Sequence, residues 1–301
     1  MIPEKFVDLY SRNSGLRDKL IAERDVVLTY SLHALYDAGI MASLAFKGGT
    51  CLRKLVFGSS GRFSEDLDFT IATEGDEDSI LVRIIEVFNQ KHHGVEYSVE
   101  NYYQTDDETS FGGDILYRHD WNDSGRFRLQ VSLREQPTLP VTPRAFLEHS
   151  YFKHVEFDQF LVPSLEPIEM ISEKVRAAYQ RAKVRDLYDL YCFSNTPFDG
   201  ELLRKLVVLK LWQVQDPFDP QLFFAKLSSA YYDWDDIQRL VRASEKIESA
   251  EILDNIRKRF SILRQLTDLE QRVISDSSGG WNQPLANQLC KEILVCFEKS
   301  A

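Results

Sequence analysis

Between residues 16 and 38 the apolar positions Ile21, Leu28, Leu32 and Leu35 recur at helical intervals, and Gly39 supplies a stop, so the spacing predicts an amphipathic helix. Residues 43–46 (Ser-Leu-Ala-Phe) predict a short apolar strand, which Gly48 and Gly49 break; Thr50 is placed to cap a helix reaching about Phe57. Gly58-Ser59-Ser60-Gly61 reads as a loop. Asp66-Leu67-Asp68-Phe69-Thr70-Ile71 then alternates strictly between polar and apolar, the pattern of a strand with one buried face. A helix is expected over 78–90, with Leu81, Ile84, Ile85 and Phe88 on one side, and strands over 95–103 and 126–134. In the last of these, Phe127, Leu129, Val131 and Leu133 alternate with Arg126, Arg128, Gln130 and Ser132.

After Leu139-Pro140 the texture changes, and from about Glu166 the chain reads as helices joined by short turns. The expected organisation is an α+β sheet domain over residues 1–163 and a helical domain over 164–301, with a late linker at 276–280 and a final helix over 284–297. A chain of 301 residues with 44% hydrophobic and 28% charged positions can bury cores of that size. Its 14 Gly and 10 Pro follow no period, which excludes collagen-like and low-complexity character. The N-terminus lacks a basic-then-apolar leader, and the longest apolar stretches fall short of the roughly 18 residues that span a bilayer, so a cytoplasmic protein without a membrane partner is expected. Four cysteines without a Cys-x-x-Cys pair argue against a zinc cluster and a disulfide framework. His92-His93 are adjacent, so their rings diverge and both are expected at the surface, and His33 is expected to pack within its helix. Trp212, Trp234, Trp281, Phe223, Phe224, Tyr231 and Tyr232 are expected to fill helical cores.

The formal net charge of −11 argues against a protein that coats polyanions non-specifically. Locally the balance inverts: over 172–185, Lys174, Arg176, Arg181, Lys183 and Arg185 face only Glu173, which makes this the place to look for a phosphate-bearing ligand. The chemistry concentrates in Lys47-Gly48-Gly49-Thr50 and Ser64-Glu65-Asp66-Leu67-Asp68. Two carboxylates two apart on a strand project from one face, roughly 7 Å apart at the backbone, so their tips can converge on a divalent ion, Mg²⁺ by preference. Two glycines before a helix let bare N–H groups approach phosphate oxygens. Either motif alone is common; in the order strand, Gly-Gly, helix, loop, Asp-x-Asp strand they form a nucleotidyl-transfer site.

Phe46-Lys47-Gly48-Gly49-Thr50 followed by Arg62-Phe63-Ser64-Glu65-Asp66-Leu67-Asp68-Phe69 resembles the first motif of the AbiEii-type nucleotidyltransferase toxins, the group of the mycobacterial MenT toxins within the polymerase-β-like superfamily. The likeness continues in Glu23-Arg24-Asp25, in Glu169-x3-Glu173-Lys174-x2-Ala177 and in Arg181-x3-Arg185-Asp186-x2-Asp189-Leu190-Tyr191, covering about residues 20–195. The resemblance implies a polymerase-β-like nucleotidyltransferase sheet domain with a C-terminal helical domain that contributes Lys174, Asp186 and Asp189 to the site. It implies Mg²⁺ on Asp66 and Asp68, and an NTP held by Lys47, Gly48, Gly49, Thr50, Ser64 and Arg185. Lys174 is then set against the triphosphate, with Asp186 and Asp189 orienting it or the nucleotide, and Ser64 is a phosphate contact or a point of control by modification.

Members of the group transfer a nucleoside monophosphate to the tRNA acceptor end, blocking aminoacylation and translation, and are restrained by a cognate antitoxin protein. The sequence departs from the superfamily at the third carboxylate: Gln130 stands at the aligned position, Glu135 is out of phase, and Asp114 and Asp123 lie outside that strand, leaving one or two metals open. Two other readings stand beside the toxin: transfer to a protein or small-molecule hydroxyl, and a catalytically weak binding protein on the nucleotide fold.

Overall fold

The computed structural model describes residues 2–16, 18–73, 77–105, 109–227, 232–276 and 281–300. The chain divides into two compact units, Met1–Leu165 with Gln238–Glu245, and Glu166–Ile237 with Lys246–Ala301.

The first unit is built on an eight-stranded sheet. Its strands are β1 (Leu44–Lys47), β2 (Asp66–Ile71), β3 (Lys91–His92), β4 (Val95–Gln104), β5 (Ser110–His119), β6 (Asn122–Ser132), β7 (Thr142–Arg144) and β8 (Val162–Ser164), in the spatial order β3-β4-β5-β6-β2-β1-β8-β7. The β2–β6 and β1–β8 pairs are parallel and the others antiparallel. Four helices accompany it: α1 (Glu4–Ser14), α2 (Lys19–Asp37), α3 (Gly48–Cys51) and α4 (Glu77–Val87). The helix expected over 16–38 begins at Lys19, where the Asp18 side chain caps it by accepting from the Leu20 N–H at 2.8 Å. The helix after the glycines runs from α3 into a π-helical stretch, Leu52–Phe57, and its N-cap is Lys47. Thr50 therefore sits inside the turn it was expected to cap; its hydroxyl donates instead to the Asp66 carbonyl and ties the glycine turn to β2.

The alternation in β2 separates two faces, as side-chain period two requires. Leu67 and Phe69 are fully buried, together with Phe127, Leu129 and Val131 of β6 and Phe111, Ile115 and Tyr117 of β5. Helix α2 covers this face. Tyr117 donates to Glu23 at 2.6 Å, and Ser31 donates to Tyr97 at 3.3 Å. Consecutive residues on a helix point about 100° apart, so Glu23, Arg24 and Asp25 reach three different partners. Buried Glu23 also receives His119 Nε2 at 2.6 Å and Asn122 Nδ2 at 3.1 Å, pinning the β5–β6 hairpin. Arg24 pairs with Glu65. Asp25 accepts Tyr10 Oη at 2.6 Å and Lys54 Nζ at 3.0 Å in the core. Burial would raise the Asp25 carboxyl, but Lys54 and Arg53 outweigh it and hold the group at about 2.

The segment 238–245 belongs to the first unit although the chain reaches it through the second. Leu240 is fully buried and its carbonyl accepts the Phe63 N–H at 2.7 Å; Arg239 grips Glu65 through two nitrogens at 3.1 and 2.9 Å.

The second unit is helical: α5 (Pro167–Gln180), α6 (Val184–Ser194), α7 (Gly200–Gln213), α8 (Pro220–Lys226), α9 (Asp235–Gln238, whose last residue opens the segment above), α10 (Ser249–Arg259), α11 (Asp268–Asp276) and α12 (Gln283–Ser300). Helix α7 lies at its centre against α5, α11 and α12, buried from Leu202 to Leu211. Its basic residues enter that core paired: Arg204 with Glu270 and Lys210 with Glu169, each at 2.8 Å, as burial of charge demands. Phe223, Phe224 and Tyr232 are buried in this unit, and Trp212 and Trp281 are half-buried with ring centroids 6.0 Å apart. Tyr231 and the expected linker at 277–280 lie outside the described residues.

Candidate active site

Strand β2 carries Asp66 and Asp68 on the sheet face opposite the apolar core, both half-buried. Sheet register extends the row through Asp68: Lys47 on β1 pairs with it from one side and Gln130 on β6 from the other. One row over, Asp66 pairs with Arg128 of β6, which pairs in turn with Asp114 of β5. The position expected for a third carboxylate is thus held by an amide immediately beside Asp68. Asp114 lies one strand further along and within 4.0 Å of Arg128 Nε. Asp114 lies outside β6 as expected, but Asp123, expected outside it too, falls within β6, which starts at Asn122 rather than near Arg126.

Gly48 meets Asp68 at close range. Its φ of +79° lies in the region that L side chains avoid, and a methyl group there would sit 2.2 Å from Asp68 Oδ2, so only glycine allows the carboxylate and the turn to meet. At Gly49 a methyl group would sit 2.5 Å from Arg62 Nη2 and 2.9 Å from Ser64 Oγ. Lys47, Gly48, Gly49, Thr50, Ser64, Asp66 and Asp68 are therefore assembled in one place within the first unit. Arg62, buried and donating to the Phe63 carbonyl at 3.1 Å, brings a guanidinium to the same turn. It lies inside the quoted motif, yet nothing in the sequence pattern assigns it a role. Two hard carboxylates on one face beside a glycine turn whose backbone nothing larger could occupy are a donor set that suits a divalent ion of the Mg²⁺ type.

The second unit holds its own charge cluster. Lys174 Nζ lies 3.1 Å from Asp186 and 3.0 Å from Asp189, the two carboxylates presented by one face of α6. Arg181 adds Nε at 2.9 Å to Asp186. Burial would raise the Asp186 carboxyl; Lys174 and Arg181 reverse this and hold it at about 2. Arg185 is paired through two nitrogens with Asp236, at 2.7 and 2.9 Å.

Mixed-sheet α+β architecture with paired aspartates beside a glycine turn that opens a helix is the arrangement expected for a nucleotidyltransferase. Residues 31–273 match the family model described as nucleotidyl transferase AbiEii toxin, type IV toxin–antitoxin system, and the chain belongs to this family. Among solved structures it is similar to MenT4, a nucleotidyltransferase toxin of Mycobacterium tuberculosis, with 25% identity and a TM-score of 0.81 over 98% of this chain and 100% of that one. A second match, the JHP933 protein of Helicobacter pylori, has 17% identity and a TM-score of 0.49 over 82% of this chain and 95% of that one. No match was found among curated protein sequences.

Proposed function

We propose that this protein is the toxin of a toxin–antitoxin pair and transfers a nucleoside monophosphate from an NTP to the 3′ end of tRNA, blocking aminoacylation and so translation. The observation that carries the transfer chemistry is the contact between Gly48 and the Asp68 carboxylate, with Asp66 on the same face. Asp66 and Asp68 would hold Mg²⁺, which when bound neutralises phosphoryl charge. The N–H groups of the turn at Gly48, Gly49 and Thr50 bind the outer phosphates, and Ser64, Lys47 and Arg62 add donors beside them. Lys174 supplies further positive charge to the triphosphate, a role read from its motif and from the two aspartates that fix its ammonium. Arg185, which is paired with Asp236, adds a guanidinium for the nucleotide. With Gln130 beside Asp68, that row offers no third carboxylate for the proton of the attacking hydroxyl, so the proton leaves to water or to substrate. The antitoxin is a separate protein that restrains the enzyme in the cytoplasm, where its tRNA substrate is found.

The test is incubation of the purified chain with Mg²⁺, each labelled NTP in turn, and total tRNA. Label on the tRNA 3′ end that disappears in Asp68→Asn and in Lys174→Met, both folded by circular dichroism, is the expected result. Absence of label on RNA with every NTP overturns the tRNA assignment, and label on protein instead selects a hydroxyl acceptor of the other kind. No described helix is long and apolar enough to cross a membrane.

A further inference from the structure

Three side chains outside the nucleotide site converge at one end of α2. His33 and Asp37 are one turn apart on that helix, and His93 comes from the tight turn between β3 and β4. His33 Nδ1 lies 3.2 Å from His93 Nε2 and 3.5 Å from Asp37 Oδ2, and all three donor atoms lie within 4.8 Å of one another. Ligand bonds of about 2.0–2.1 Å in a tetrahedral zinc site place neighbouring ligand atoms about 3.3–3.4 Å apart, so two of the three edges have that spacing, and an ion would replace the His33–His93 hydrogen bond as the rings turn their lone pairs toward it. The third closes by rotation of Asp37, an exposed side chain with freedom to turn.

The surroundings hold the imidazoles in this attitude. His33 is buried and stacked on Phe157, with ring centroids 4.0 Å apart and planes at 21°, and Phe160 meets its edge at 5.2 Å. Phe157 also packs on His93 at 5.2 Å, so an aromatic wall backs both nitrogens. His93 and Gly94 form a two-residue hairpin turn with φ of +47° and +83°. Both values are positive, as a type I′ turn requires, and histidine is among the few side chains that accept the first position. His92 points elsewhere, its Nε2 on the Val87 carbonyl at 3.0 Å. The adjacent histidines thus diverge as expected, but both are half-buried rather than at the surface, His93 against His33.

We propose that His33, Asp37 and His93 form a site for one first-row transition-metal ion, with Zn²⁺ the best match. Two imidazole nitrogens and one carboxylate oxygen are a borderline donor set that disfavours Mg²⁺ and Ca²⁺, and three protein ligands leave the fourth position to water. The ion ties β3, at one edge of the sheet, to the last turn of α2.

The experiment uses the full chain without a polyhistidine tag. Zn²⁺ is titrated calorimetrically, and Co²⁺ is added in parallel as a spectroscopic probe of tetrahedral geometry. His93→Asn suits the turn, because asparagine also tolerates positive φ, and it removes one imidazole while buried His33 keeps its packing on Phe157. One Zn²⁺ per chain, visible Co²⁺ bands, and loss of both the bands and at least tenfold of the affinity in His93→Asn and in Asp37→Asn are expected. Asp68→Asn keeps the bands. Zn²⁺ affinity unchanged in His93→Asn, or bands lost in Asp68→Asn and kept in His93→Asn, overturns the assignment.

Discussion

Replacing Gly48 with alanine tests the site at its tightest point. Two costs follow from the structure and fall on different observables. The backbone at φ +79° admits a Cβ only under strain, about 1–2 kcal/mol of stability for a single left-handed residue. The new methyl group would stand 2.2 Å from Asp68 Oδ2, against at least 3.4 Å for ordinary contact, so the carboxylate must retreat by about 1.2 Å. Displacement of a reacting group by about 1 Å costs on the order of 100-fold in rate. The expected protein is folded, modestly destabilised to urea, and about 100-fold slower in label transfer from NTP to tRNA. Gly15→Ala is the internal control: its φ is +66° but the nearest atom to the new methyl is 3.6 Å away, so it carries the backbone cost without the clash. Initial transfer rates and urea midpoints measured on both variants separate the two terms. A folded Gly48→Ala enzyme with wild-type rate, or a Gly15→Ala enzyme as slow as Gly48→Ala, would refute the reasoning.

Glu23→Gln places an amide that donates as well as accepts where three donors converge, leaving at least one buried group unsatisfied; a loss of about 1–3 kcal/mol in urea denaturation is expected. Lys54→Met strands the Asp25 carboxylate in the core and should cost about 3–5 kcal/mol, part of which the double variant Lys54→Met, Asp25→Asn recovers in the same assay. Asp25 and Asp186 both lie at about 2 in the folded protein, below the ordinary 3.8, so their contribution to stability is full above 3.8 and is lost as pH falls toward 2. Acid titration followed by circular dichroism should show that loss, and Asp25→Asn should flatten the pH dependence of stability across the same window.

Strand β2 could be read from residues 66–71 because its two faces meet different surroundings, and the glycine turn because two adjacent glycines before a helix have few other uses. Strand β5 escaped for the same kind of reason: Gly112 and Gly113 look like a turn, yet they lie in the sheet, and a methyl group at Gly112 would sit 2.6 Å from Tyr103 Oη. Here glycine makes room for an aromatic ring from the next strand, a cross-strand fact without local signature. Strands β7 and β8 are three residues each with a central proline, too short for any period to show. Helix α1 buries only Val7, Tyr10 and Ser11, a stripe narrower than the pattern that betrays α2. At the site, the aspartates and glycines sit in contiguous motifs and were legible. The row that adds Arg128 and Asp114 depends on register between three strands, and the meeting of His33 with His93 on a hairpin sixty residues away.

The short stretch 238–245 makes the first unit discontinuous in sequence. Any fragment that stops at residue 237 or earlier forfeits the acceptor for the Phe63 amide and the Arg239 guanidinium that pairs with Glu65, the residue directly before Asp66. The segment that leads into β2 is therefore fully fastened only after residues 238–245 have been synthesised. During translation the chain must wait for its own late residues before that segment is fastened, and a nascent or prematurely terminated chain would lack this fastening.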